Sequence, residues 1–352
     1  MMRHVCLDTF AYALPPRVLT SAALEEQLAP VYARLKLPTG RLAMMSGIES
    51  RRLWPAGTRP SQAATLAGRE AIRRAGIAPE QLQCLIFTSV SRDMMEPATA
   101  SFVHQGLGLA DDCLIFDISN ACLGFLDGML MLAQMIESGR IEHGLVVSGE
   151  TAEALLDSTV AALLRDESLS RKSIKPAFAS LTIGSGSVAL YMRRAAEREG
   201  RPLLRHAAWL ANTRHNNLCQ GGDLPGYQTG GMAGVLMATN SEELLRQGVE
   251  TAARTWQKFS AEPGWSGADI DRFFCHQVGS AHARFLCEKL AIDPEKNFQT
   301  LSRFGNTGSV SAPLTLALGI EEGVFGPGMK AAVLGIGSGI NCLMLGLDWR
   351  TT

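Results

Sequence analysis

The stretch DISNACLGFLDGMLMLAQMIESG, residues 117–139, places one cysteine, Cys122, after small and polar residues and just ahead of a segment that is apolar on almost every face. Apolar residues fall at Leu123, Phe125, Leu126, Met129, Leu130, Leu132, Met135 and Ile136. That pattern predicts a helix with no solvated side, hence one at the centre of the molecule with its start facing an interior pocket. A thiol at a helix N-terminus feels the positive end of the dipole, so the position predicts a lowered pKa and a nucleophilic thiolate. Gly124 and Gly128, four residues apart, predict close approach by another backbone. Asp127 and Gln134 interrupt a run already shorter than the ~20 residues of a membrane span.

Working outward, the helix leads through Ser-Gly-Arg into HGLVVSGE at 143–150, apolar on successive residues. Such a run predicts a strand covered on both faces, as in an α/β fold. The plan recurs where a helix from about 308 leads through FGPG into KAAVLGIGSG. A second pair of elements agrees: the helical spacing of 62–75 precedes QCLIFTSVS at 83–91, and a helix over 247–259 precedes DRFFCHQVG at 271–279. Thr88 then aligns with His276, and Gly149 with Gly337, at one common offset. Two independent pairs sharing an offset predict an internal duplication, with sheets covering a central helix layer. The halves are 1–195 and 196–352, joined near the charged segment YMRRAAEREGRP.

At 352 residues and 46% hydrophobic content the chain can bury a large core. Charged residues amount to 19%, the net charge is -1 and no run of Lys or Arg exceeds two, which excludes the footprint of a nucleic-acid binder. The opening MMRHVCLDTFAYALPPRVLTS has no uninterrupted apolar core of signal-peptide length, so a cytoplasmic location is expected. Eight scattered cysteines show neither a CxxC pair nor zinc spacing, and no metal site is expected. Cys84, Cys113, Cys275 and Cys342 lie in or beside apolar runs and read as small hydrophobes. GIGSGI (335–340) and LTIGSGSVAL (181–190) are followed by β-like residues, whereas a phosphate loop must open a helix, so both read as tight turns.

Two further segments bear on Cys122. His276, in CHQVGSAH, ends an apolar strand, where α/β folds place reactive groups. Asn306, in GNTGSVSAP, precedes the second-half helix that corresponds to the one behind Cys122, so the duplication brings the two helix starts together. A neutral imidazole and an amide donor facing a thiol can relay a proton or stabilise a thioester enolate. A backbone-bonded core histidine and an asparagine helix cap are the alternatives.

With these motifs the chain resembles, from GIESRRLW to LGIGSGIN, the thiolase-fold condensing enzymes of the 3-oxoacyl-(acyl-carrier-protein) synthase III group. TSVSRDMMEPATAS (88–101) and DISNACLGF are most similar to its OleA-type, head-to-head acyl-coenzyme A condensing branch. The resemblance implies an acyltransferase in which Cys122 takes an acyl group and His276 and Asn306 assist carbanion formation on a second thioester. It implies an oxyanion hole of the Cys122 N–H with that of Gly339 or Ser338, no cofactor beyond the thioester substrates, and a homodimer. Glu96, matching a glutamate that reaches across such a dimer, is then the general base of a non-decarboxylative Claisen condensation of long-chain acyl-coenzyme A. The alternative is a decarboxylative synthase III, or a ketosynthase or acyltransferase using carrier-protein thioesters. Arg41 and Met45 stand about where synthase III enzymes grip coenzyme A with tryptophan and arginine, leaving coenzyme A and acyl carrier protein both open as donors. Residues 157–178 depart from the pattern and are expected to reshape the acyl tunnel. A silent partner subunit would need no nucleophile.

Overall fold

The computed structural model describes residues 2–196, 200–222 and 236–349, so part of the expected join, 197–199, lies outside them. Among the described residues nine strands make one mixed sheet: β1 (Val5–Ala13), β2 (Cys84–Thr88), β3 (Leu114–Ile118), β4 (His143–Glu150), β5 (Gly186–Arg194), β6 (Leu203–Ala211), β7 (Arg272–Cys275), β8 (Lys330–Gly337) and β9 (Asn341–Asp348). Their order is β7-β8-β9-β6-β1-β5-β4-β2-β3. The middle of this sheet is a seam, because β1 and β6 share only the register pair Cys6↔Leu203. Outward from the seam, β1-β5-β4-β2 and β6-β9-β8-β7 run identically, two antiparallel pairings and then a parallel one. The fold is therefore an α/β sandwich of two duplicated halves, with β3 an added edge strand on one side.

The helices are α1 (Pro60–Ala75), α2 (Thr99–Leu107), α3 (Gly124–Glu137), α4 (Glu153–Arg165), α5 (Ser241–Ser260), α6 (Ser280–Leu290) and α7 (Ser311–Glu321). Period-two burial along the strands sorts them into layers. On β4, Val146 faces the central core with Phe125, Leu126 and Met129 of α3 and Leu314 of α7, while Leu145 and Val147 face an outer core with α1 and α2. On β8, Ala331 and Val333 join the central core, and Ala332 and Leu334 an outer one with α5 and α6. Strands apolar on every residue are thus apolar because both faces are covered.

Helix α3 wedges between the half-sheets. Its Gly128 faces Thr88 and Val146, where a Cβ would come within 2.9 Å of both. On the other side Leu126 reaches Gly335, 2.8 Å from where that glycine's Cβ would be. Against Gly128 side chains fit, not the backbone expected, whereas Gly124 does take backbone, the Ile118 carbonyl oxygen lying 3.4 Å from where its Cβ would be. Helix α4 packs in a satellite cluster with Leu24, Leu28, Val31 and Leu42, and this cluster takes in the apolar residues of 157–178.

Candidate active site

Strand β3 ends at Ile118 and α3 begins at Gly124, so Cys122 stands on the intervening turn, two residues ahead of the helix. Ala121 beside it is held at φ 47°, the left-handed region that costs a non-glycine residue about 1–3 kcal/mol. A chain of amides fixes this turn. Asn120 Nδ2 donates to Asp127 (2.8 Å), and Asn341 Nδ2 donates to Asn120 Oδ1 (3.1 Å) and weakly to the Ser338 carbonyl (3.4 Å). The Cys122 turn and the 338–340 turn between β8 and β9 are thereby tied together. A cavity of about 220 Å³ opens alongside, bounded by Asn120, Leu123, Asp127, Leu130 and Trp209.

The thiol is not the thiolate that its helix start suggests. Burial pushes Cys122 up to about 12, with the Glu150 carboxylate and the Cys219 thiol adding to it. The amides at the helix start are engaged within the fold. Leu123 N donates to the Asn120 carbonyl (3.0 Å), Gly124 N reaches that of Ala121 (3.4 Å), and Phe125 N donates to Ser309 Oγ (2.9 Å). The upward direction of the shift favours the neutral thiol at Cys122.

His276 follows β7 directly, its N–H donating to the Leu334 carbonyl of β8 (2.8 Å). Gln277 Oε1 secures the segment by accepting from the Thr300 and Leu301 amides (2.9 and 2.7 Å). The imidazole is 3% exposed, and neither ring nitrogen has a partner. Burial pushes its pKa down to about 3, with His282 of α6 contributing, so the ring is neutral and available as an acceptor. A core histidine bonded to backbone is excluded.

Asn306 is held like one rung of a ladder, its N–H donating to the Thr182 carbonyl (3.0 Å) and its carbonyl accepting from Gly184 N (2.9 Å). Gly308 N donates to Oδ1 (3.0 Å), which leaves Nδ2 as the amide donor. Asn306 caps no helix: α7 begins five residues later, after a short helical turn at Gly308–Val310. Beneath this turn Arg51 is completely buried; Nη2 donates to Ser21 Oγ (2.9 Å), and burial holds its pKa down to about 10.

Ser309 joins the segments of Cys122 and Asn306. Its Oγ receives the Phe125 amide, and its own N–H donates to Glu150 Oε1 (3.0 Å). The helix starts thus meet through one hydroxyl, as the duplication predicts. Glu96 lies elsewhere on this chain. It is exposed in the loop after β2, beside Met95 at 86% exposure, so its own chain does not provide the burial that would make it a base. Ser338 and Gly339 are half-buried in the 338–340 turn, with Gly339 at φ 124°, which suits glycine. Sequence reasoning missed Glu150, Ser309 and the Asn120–Asn341 link. The one available signal was a carboxylate closing the apolar strand HGLVVSGE.

Comparison with known proteins places this geometry. A family model described as 3-oxoacyl-[acyl-carrier-protein (ACP)] synthase III matches residues 116–168, and its C-terminal counterpart matches 261–349. An acyl-CoA:acyl-CoA alkyltransferase of Shewanella oneidensis is 39% identical over 98% of this chain and 99% of its own. Another, from Xanthomonas campestris pv. campestris, is 36% identical over 99% and 100%. Xanthomonas campestris OleA, solved as a cysteine-to-serine variant with bound lauric acid and lauroyl-CoA, superposes with a TM-score of 0.92 at 35% identity over 99% of this chain and 100% of that one. Further structures of that enzyme carry exchanges of a glutamate and of a histidine, and its exchanged glutamate and cysteine are spaced as Glu96 and Cys122 are here. With more than a third of its residues shared along both full lengths, and with the same fold, the chain belongs to the acyl-CoA:acyl-CoA alkyltransferase family within the 3-oxoacyl-(acyl-carrier-protein) synthase III group.

Proposed function

We propose that this enzyme joins two long-chain acyl-coenzyme A molecules head to head through an acyl-Cys122 intermediate, without decarboxylation. The observation that carries the reading is that Ser309 ties the turn of Asn306, whose Nδ2 is left as a donor, to the helix behind Cys122, while the buried His276 imidazole keeps both ring nitrogens without a partner. In the first step Cys122 Sγ attacks the thioester carbonyl while His276 takes the thiol proton, and the departing coenzyme thiolate then receives it. In the second, Glu96 of another copy removes an α-proton from a second acyl thioester. His276 and the Asn306 amide hold the enolate oxygen, and the α-carbon attacks the acyl-Cys122 carbonyl and expels the thiolate. The N–H groups of Cys122 and of Gly339 or Ser338 hold the oxyanion formed at that carbonyl.

Supporting Glu96 as the base are its exposure on its own chain, the exposed Val90 and Met95 around it, and the matching spacing in the relative. The homodimer follows from the same reading, with β3, the sheet's outer strand, and 83–103 as its interface. Eight free cysteines suit a reducing cytoplasm, and no helix among the described residues is long and apolar enough to cross a membrane. The division into 1–195 and 196–352 follows the repeated strand order, and the thioester substrates suffice without a cofactor. The thioester comes from coenzyme A in this reading, since the relative was solved with an acyl-coenzyme A. Mass spectrometry of the enzyme incubated with lauroyl-coenzyme A tests it. Acyl mass on the Cys122 peptide and a condensed β-keto product are expected, both absent in Cys122→Ser. Efficient, carbon-dioxide-releasing use of a malonyl thioester while two lauroyl chains stay unreacted would overturn it.

A further inference from the structure

The carboxylate of Glu150, at the end of β4, is buried and engaged by four donors: the amides of Val90 (2.9 Å), Ser91 (3.1 Å) and Ser309 (3.0 Å) and the Ser91 hydroxyl (2.9 Å). Burial raises the pKa of this carboxyl, and the hydrogen bonds from Val90, Ser309 and Ser91 oppose that rise; with every partner donating, both oxygens act as acceptors, which is the pattern of the ionised form. No basic side chain is among these hydrogen-bond partners. Gly308 leaves the room, since a Cβ there would sit 2.9 Å from Oε1. Each partner lies on a segment of the proposed site. Val90 and Ser91 begin the loop that carries Glu96, while Gly308 and Ser309 belong to the turn of Asn306. Ser309 Oγ in turn receives the Phe125 amide of the helix behind Cys122.

We infer that Glu150 is a positioning residue whose single carboxylate gathers the Glu96 loop, the Asn306 turn and the Cys122 helix, and whose negative charge keeps the Cys122 thiol protonated until a thioester arrives. Burial in a region without a basic partner gives that charge its reach, because little solvent screens it. The direction of the Cys122 shift, to which Glu150 contributes after burial, agrees. The other titratable group bearing on the thiol is Cys219. The thiol proton then leaves only as the sulfur–carbon bond forms, moving to His276, so the nucleophile is generated with substrate in place. This rests on Cys122 being the nucleophile, and it adds an assignment for a residue that does not touch the reacting atoms.

The test is the pH profile of iodoacetamide alkylation at the Cys122 peptide, read by mass spectrometry on folded protein without any thioester. In the wild type the rate should stay low at pH 7.5 and climb beyond pH 9. Glu150→Gln keeps size and one acceptor but removes the charge, so alkylation at pH 7.5 should rise at least about tenfold, one pKa unit, while Glu150→Asp keeps the wild-type profile. Condensation should fall on the order of a hundredfold in Glu150→Gln, as the gathered segments loosen. Coincident profiles for wild type and Glu150→Gln would overturn the inference. Should that variant not fold, Ser309→Ala decides the gathering role, since it cuts the link from the Glu150-bound turn to the Phe125 amide: condensation at the wild-type rate refutes it, and a loss of condensation with Cys122 alkylation unchanged supports it. A wild type that forms no condensed product sinks the proposed function, yet leaves this titration readable.

Discussion

At the scale of single residues, burial favours the uncharged forms of Cys122 and His276. His276 is the clearest case, and it makes two expectations. His276→Ala and Asn306→Ala should leave acylation of Cys122 partly intact while condensation falls a hundredfold or more, since the enolate loses a donor. Equal loss of both steps, measured by intact mass and by product yield, would contradict that division. The second expectation concerns acid. The pKa of His276 is depressed in the fold to about 3 by burial and by His282, against about 6.5 in the unfolded chain. Between those values the unfolded state binds more protons, so this stability is complete above pH 6.5 and is lost as pH falls towards 3. Urea unfolding at pH 6 and pH 5 should therefore show a loss in the wild type that shrinks by about 1 kcal/mol in His276→Gln. Cys122 teaches the opposite lesson about legibility. The sequence placed its thiol at a helix start, but its pKa depends on amides that Ser309 and two turn carbonyls occupy, and on a carboxylate 28 residues further along the chain.

At the scale of elements, α3 was legible as a core helix from its apolar run, but the expected absence of a solvated side fails: Met131 is 48% exposed and Gln134 is exposed, with Asp127 and Leu130 half-buried on the same side. Its two packed sides were not legible, since Thr88, Val146 and Gly335 come from three different strands. Gly128 is the test of that packing. Gly128→Ala would press a methyl against the branched side chains of Thr88 and Val146 and should cost about 1–3 kcal/mol, outweighing the gain in helix propensity. Thr88→Ser removes the Thr88 methyl while keeping the hydroxyl that donates to the Val147 carbonyl (3.1 Å). It should restore part of the loss in the double variant, a coupling that thermal denaturation of all four proteins can measure. Additive losses would mean that the helix simply shifts. The strands β4 and β8 were read to within a residue or two for the same reason that they are strands: two apolar faces leave no polar alternation. Asn306 was placed correctly near the second helix start, but its turn is defined by 182–184, which no local pattern announces.

At the scale of the whole molecule, the repeat offset sufficed for the two-half architecture, because each half must pair its strands identically to cover one helix layer. The proposed dimer is tested by a mixing experiment. If Glu96 serves the other copy, co-refolding inactive Glu96→Gln with inactive Cys122→Ala should regain about a quarter of wild-type activity, since half the dimers are mixed and each has one complete site. No recovery, or a monomer by light scattering, would refute the arrangement. The seam between β1 and β6 has a mechanical side as well. Two plates joined by a single register pair and the flanking backbone bonds of Met2 to Arg205 and Leu7 to Pro202 resist shear poorly along that line, so the spacer between them sets their separation. Leu126 belongs to that spacer, whereas Leu286 fills an outer layer. Truncating either to alanine should cost a similar 2–5 kcal/mol. Only Leu126→Ala should let the plates settle, carrying the thiol and the imidazole out of alignment, and so slow turnover well below its remaining folded fraction.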